Sequence, residues 1–334
     1  MPEPSTQRVD TAAPDYPGTT IVIGEKYTVA VMGAVGVGKT VFLGSYFHMT
    51  KNLGMGKHSV FANNQDSWIK VNTMLDTLFV KKEPVAETSR HNDLGFSVSD
   101  LMMAVDLKSV PDGDTQNMNG WADKVVSQLR RADGVICFIS GEDLILHPDE
   151  MSPDNTVFMK AISIFKRKWS LGRTNIPICF IVTKGDTIPD VSEDELKQRV
   201  ISLIKKTADS SKDTAWADRL FEEGSNARLF KVEAMGKWPS ANTLPKEFQP
   251  KNIVEPMDML FEKMLKSRKK HSYITECILL VPFSCLLYFL NKYFQIGVGF
   301  LAVATVFFLC FLRFWDFHTK YPGELRTRFN DLFN

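Results

Sequence analysis

The sequence is 334 residues long, with 40 basic and 39 acidic residues and a formal net charge of +1. That length leaves room for one large domain or two small ones. The charge balance excludes the global field that draws nucleic acid, so no nucleic-acid partner is expected. Cys137, Cys179, Cys277, Cys285 and Cys310 each stand in an apolar run without metal-ligand spacing. They read as small buried hydrophobes in a reducing or lipid environment, not as a disulfide framework.

Residues 1–25 scatter Pro2, Pro4, Pro14 and Pro17 among Ser, Thr, Asp and Gln. This is too little apolar surface to offset the entropy of ordering, so a disordered arm is expected. No basic stretch followed by an apolar run opens the chain, and no signal peptide is expected. From Tyr27 to Met235, apolar runs (Tyr27–Gly33, Leu94–Ser99, Leu101–Leu107, Gly134–Ser140, Ile176–Thr183 and Arg228–Ala234) alternate with amphipathic stretches such as Trp121–Arg131, Thr156–Trp169 and Glu193–Lys206. Buried runs alternating with helices predict an α/β domain over 26–265, a mostly parallel sheet with helices on both faces. The second and third runs nearly touch, which predicts one antiparallel hairpin within that sheet.

Glu255–Lys270 has a helical pattern, with Met257, Leu260, Phe261, Met264 and Leu265 on one side and Pro256 in the first turn. The basic cluster Lys266, Arg268, Lys269 and Lys270 follows, then two apolar stretches, Ile274–Leu290 and Phe294–Leu312, with only Asn291, Lys292 and Tyr293 between them. As helices they reach roughly 26 and 28 Å, close to the roughly 30 Å hydrocarbon core of a bilayer. The stretches hold one residue charged at neutral pH, Glu276, and basic and aromatic residues flank both outer ends, Arg313, Phe314, Trp315 and Phe317 among them. This pattern favours a transmembrane helical hairpin within residues 266–320 over a buried hairpin of a soluble domain. A turn that short returns the chain to its starting side, and the basic flanks put that side in the cytoplasm. The expectation is a two-span membrane protein with its domain and both termini cytoplasmic. Residues 321–334, with Leu325, Phe329, Leu332 and Phe333 on one helical face, read as an amphipathic tail.

Gly33-Ala34-Val35-Gly36-Val37-Gly38-Lys39-Thr40 fits the phosphate-loop pattern G-x-x-x-x-G-K-[ST], fed by an apolar run and followed by the helical start Val41-Phe42-Leu43. Gly33, Gly36 and Gly38 let successive backbone N–H groups curl around phosphate oxygens. Lys39 can reach the β- and γ-phosphates, the Thr40 hydroxyl can ligate Mg²⁺, and the following helix dipole favours the anion.

Thr183-Lys184-Gly185-Asp186, after the run Ile178–Val182, matches [NT]-K-x-D. With the phosphate loop upstream, the chain resembles P-loop GTPases of the Ras-like and translation-factor class. The resemblance implies a GTPase-type fold and GTP or GDP as the nucleotide. It gives Asp186 the guanine N1–H and 2-amino group, which adenine lacks. It lays the stem of Lys184 along the base and has Thr183 brace the phosphate loop. Val232-Glu233-Ala234-Met235-Gly236 stands where the family has an S-A-[KL] loop, so the Ala234 N–H would meet guanine O6, although Glu233 replaces the usual serine.

The family's D-x-x-G motif is not kept. Leu101–Asp106 reads as an apolar strand ending in an aspartate, which assigns Asp106 to Mg²⁺, but the chain continues Leu107-Lys108-Ser109-Val110-Pro111-Asp112-Gly113. The glycine is displaced toward Gly113, and the water-positioning glutamine has no clear counterpart; Gln116 and Asp114 are the substitutes. For the threonine that ligates Mg²⁺ in the triphosphate state, Thr88 is well placed, ahead of Thr73 and Thr77, which fall in a helical pattern. Lys39 and Thr88 are thus the expected catalytic groups, and Thr40, Asp106 and Thr88 the expected metal ligands.

A GTPase domain with a C-terminal membrane hairpin looks like the atlastin and mitofusin type, without their long helical middle domain. The expected function is a membrane-anchored GTPase switch of low intrinsic turnover, its site completed by a protein partner or a homodimer. The alternative is a nucleotide-driven membrane-shaping scaffold with little catalysis. A P-loop kinase is a further reading, but no arginine-bearing lid is evident.

Overall fold

A computed structural model describes residues 25–83, 93–110, 125–129, 131–146, 176–207, 215–235 and 248–267. The expected arm (but for Glu25), both expected membrane stretches and the tail lie outside these residues. Among the described residues no helix is long and apolar enough to cross a membrane.

The strands are β1 (Glu25–Met32), β2 (Val60–Ala62), β3 (Leu94–Val98), β4 (Met103–Ser109), β5 (Gly134–Ser140), β6 (Ile178–Thr183) and β7 (Ala227–Lys231). They form one seven-stranded sheet in the order β2-β3-β4-β1-β5-β6-β7. Pairings from β4 through β1 to β7 are parallel, while β2–β3 and β3–β4 are antiparallel. The expected hairpin is therefore present, turning through Ser99–Met102 with Met102 at φ 49°. The three-residue edge strand β2 was not foreseen.

The helices are α1 (Lys39–Phe47), α2 (Gln65–Leu75), α3 (125–129), α4 (Gly141–Ile145), α5 (Glu193–Thr207), α6 (Ala215–Asp218) and α7 (255–267). Both α1 and α2 run on into π-helical turns, His48–Asn52 and Asp76–Lys81. The Asn64 side chain caps α2 by accepting from the Ser67 N–H at 2.8 Å.

Alternation along β1 assigns the two faces of the sheet. Tyr27, Val29 and Val31 pack with Phe42 and Tyr46 of α1, Val71 and Met74 of α2, and Leu260 and Phe261 of α7. Ala30 and Met32 pack on the other side with Leu129 of α3 and Leu196, Val200 and Ile204 of α5. Strands covered on both faces must be apolar throughout, and β5 and β6 are buried at every position. Cys137 of β5 and Cys179 of β6 are free thiols inside these layers, as expected. Burial pushes the Cys137 thiol up to about 12, leaving it almost no nucleophilic thiolate at neutral pH.

From β1 the chain first builds the sheet toward β4 and then crosses to β5 on the opposite side. Such a switch point opens a crevice at the carboxyl ends of the strands, where ligands of open α/β sheets bind.

Candidate functional site

The loop leaving β1 at that crevice is the glycine-rich segment. Gly36 and Gly38 have φ of 78° and 88°, a left-handed conformation that costs a glycine little. Gly38 ends the loop and heads α1, its carbonyl accepting from the Phe42 N–H at 2.9 Å. Gly33 is required for space as well: a Cβ there would stand 2.8 Å from Cβ of Phe138 and 3.0 Å from its carbonyl oxygen. The first turn of α1 holds no acidic residue, so nothing there opposes an anion at the positive end of the helix. Lys39 folds back over the loop, its ammonium donating to the carbonyls of Gly33 and Ala34.

Thr183, the last residue of β6, is 2% exposed. Its hydroxyl donates to the carbonyl of Val37 in the glycine-rich loop, with the Ile139 carbonyl 3.2 Å away. Cβ of Thr183 also lies 3.7 Å from where a Cβ on Gly38 would stand. Parallel pairing of β5 with β6 puts Ser140 opposite Thr183, so three strand ends converge on this point.

Beyond Thr183 the chain turns sharply. Lys184 is left-handed at φ 54° and begins the 3₁₀ turn Gly185–Thr187, which carries half-buried Asp186. The Lys184 ammonium faces the Glu142 carboxylate of α4 at 3.4 Å, with both side chains 40% exposed, a geometry of small stabilising value. The Gly185 N–H donates to the Val232 carbonyl at 2.9 Å, which lays this turn against the segment leaving β7. Ala234 is half-buried in that segment. Glu233 there pairs with Lys251 at 2.9 Å and bridges its backbone. The side chain that departs from the family pattern thus has a structural partner of its own. Thr183 forms the carboxyl end of β6, and Lys39, Thr40, Asp186 and Ala234 follow the carboxyl ends of β1, β6 and β7.

A cavity of about 200 Å³ adjoins the loop, bounded by Lys39 and Thr40, by Thr73 and Thr77 of α2 and its π turn, and by apolar Leu43, Ile69 and Met74. The two threonines set aside because of their helical pattern are therefore the ones brought beside the phosphate loop. Thr88 lies outside the described residues, as do Asp112, Gly113, Asp114 and Gln116.

Asp106 requires a correction. The strand does not end there but runs on to Ser109, and Asp106 pairs in register with Thr28. Gly33, the first residue past β1, lies five residues beyond Thr28, about 16 Å at strand rise, more than an aspartate spans even through a water. Asp106 instead pairs with Lys26 at 2.9 Å. Val110, whose N–H bonds the Val31 carbonyl at 2.9 Å, is the last described residue on the way to the crevice.

No family model matches the chain, and no curated protein matches it. Three solved structures resemble it in part. A bacterial selenocysteine-specific elongation factor, EF-Sec, is 14% identical over 63% of this chain and 26% of its own, with a TM-score of 0.28. An ADP-ribosylation-factor-like GTP-binding protein, the small COPII coat GTPase SAR1 of Encephalitozoon cuniculi in complex with GDP, is 12% identical over 75% of this chain and 85% of its own, with a TM-score of 0.35. Sup35 complexed with GMPPNP is 16% identical over 65% and 39% of the respective chains, with a TM-score of 0.31. This chain thus spans only about a quarter of the elongation factor. At such scores, what the site can do is decided by its own residues.

Proposed function

We propose that this chain is a guanine-nucleotide-binding protein, held at a membrane by residues 274–312, that hydrolyses GTP slowly and acts as a switch for a partner. One observation carries the reading: the Thr183 hydroxyl, at the head of T-K-x-D, donates to the carbonyl of Val37 in the phosphate loop. The segment that would read the base and the segment that would hold the phosphates are joined by a buried contact, as a nucleotide with both parts requires. The left-handed glycines and Lys39 fit a triphosphate. Asp186 would accept from the guanine N1–H and 2-amino group, and the Ala234 N–H would donate to O6.

For Mg²⁺ the fit is partial. Thr40 opens α1 beside Lys39 and is suited to the ion, which keeps several waters and takes one or two protein ligands besides phosphates; Asp106 is not. Bound Mg²⁺ would neutralise charge on the phosphates. A partner or second copy would complete the site, because the family's water-positioning glutamine has no clear counterpart in the sequence.

The test is binding of fluorescent GTP and ATP to the full chain in lipid nanodiscs, with phosphate release followed in parallel. GTP should bind at least tenfold more tightly than ATP, and Lys39→Ala should weaken both. Turnover should be near the unassisted Ras-type rate, of order 10⁻⁴ per second. Equal affinity for the two nucleotides would remove the guanine reading, and release above about one per second from a dilute monomer would remove the slow-hydrolase reading.

A further inference from the structure

Lys231 ends β7, opposite Val182 of β6. Its ammonium donates to three main-chain carbonyls, those of Ile188 at 2.6 Å, Pro189 at 3.0 Å and Val191 at 3.0 Å. An ammonium has three N–H donors, and three carbonyls of one loop engage them. That loop follows directly on the turn bearing Asp186. The turn is tied to it: the Thr187 N–H donates to the Lys184 carbonyl at 3.1 Å, and the Ile188 N–H to that of Gly185 at 3.2 Å. On the near side, Cγ of Lys231 would stand 3.1 Å from a Cβ on Gly185, and the Gly185 N–H bonds Val232. The Lys231 stem therefore supports the start of the turn while its head grips the far end, with Asp186 between.

We infer that Lys231 is a positioning residue for base recognition, fixing Asp186 by neutralising the carbonyls of residues 188–191; this rests on the guanine reading above. Three carbonyl dipoles aimed at one point repel one another unless donors stand between them, and here the ammonium supplies those donors. Without it they turn toward water, and the 3₁₀ turn that shares their backbone follows. The hydrogen bond lost to such a shift is the one guanine makes and adenine does not, so discrimination suffers before phosphate binding does.

The experiment measures GTP and ATP affinities of the full chain in nanodiscs for wild type, Lys231→Met and Lys231→Arg. Lys231→Met keeps the stem and removes the donors. The GTP-over-ATP ratio should fall at least tenfold with ATP affinity within about twofold of wild type, and Lys231→Arg should recover most of the ratio. If Lys231→Met does not fold, Lys231→Leu, which also lacks donors, replaces it with the same expectation. An unchanged ratio in a discriminating wild type would overturn the inference, and so would an equal loss of both affinities, which is the mark of a general structural role. A wild type that does not discriminate would fail the guanine reading itself, a separate outcome visible before any variant is made.

Discussion

The contact joining the two halves of the site can be cut with one substitution. Thr183→Val is nearly isosteric, so it opens no cavity, but it removes the hydroxyl that donates to the Val37 carbonyl. Thr183 is 2% exposed, so water has little access to replace that donor. A buried carbonyl deprived of its partner costs about 1–3 kcal/mol, and the central figure of about 2 kcal/mol corresponds to a fall in Tm of about 4–8 °C for a domain of this size. If the hydroxyl holds the glycine-rich loop in its binding conformation, part of the same free energy appears in affinity. About 1.4 kcal/mol is tenfold, so GTP should bind roughly three- to thirtyfold more weakly. Thr183→Ser keeps the hydroxyl, loses only a methyl and should restore affinity to within about threefold. Thermal unfolding and a fluorescent-GTP titration on the full chain in nanodiscs read both quantities. Wild-type affinity together with wild-type Tm in Thr183→Val would refute the bracing role and detach the two loops.

Three further outcomes follow from particular groups. Asp186→Asn should lower affinity for GTP and raise it for xanthosine triphosphate, whose 2-oxo group can accept from the new amide; competition between the two nucleotides measures it, and unchanged preference counts against Asp186 as the base reader. Carbonate extraction should leave the full chain in the membrane pellet, truncation before Lys266 should release it, and cysteines placed at Lys270 and Lys320 should label from the same, cytoplasmic side; labelling from opposite sides would replace the hairpin with a single span. Burial, partly offset by the Lys57 N–H and nearby His58, raises the Asp258 carboxyl above its ordinary value. The folded state therefore holds this proton more firmly than the unfolded state, and the stability so gained is present below about pH 4 and lost as pH rises through the raised value. Asp258→Asn lacks that loss, so Tm measured from pH 4 to pH 7 should show the variant gaining on wild type, and parallel curves would remove the effect.

How much of this was legible in the sequence depended on what each segment is buried against. Ile178–Thr183 and Gly134–Ser140 lie in strands covered on both faces, so each reads as an unbroken apolar run that fixes the order of the turns after it along the chain. The glycine loop was legible because its φ values and its close approach to Phe138 exclude other residues. The strand β2 was not: its three residues stand among Ser, His and Asn and are held by pairing with β3, a contact from far along the chain.

Asp106 shows why a charged residue is a poor strand terminator on a half-exposed face. Along β4, Met103, Val105 and Leu107 are buried, while Ala104, Asp106 and Lys108 alternate onto the other side. There Asp106 meets Lys26, and Lys108 meets Asp93 at 2.9 Å. With its charges paired, the strand continues through them for three more residues, to Ser109. The same reasoning applies to Thr73 and Thr77. Both are helical, as their periodicity implies, but periodicity says only which residues share a face. Which neighbour that face meets is set by α2 packing across α1, and it is this tertiary contact that puts two hydroxyls beside Lys39 and Thr40.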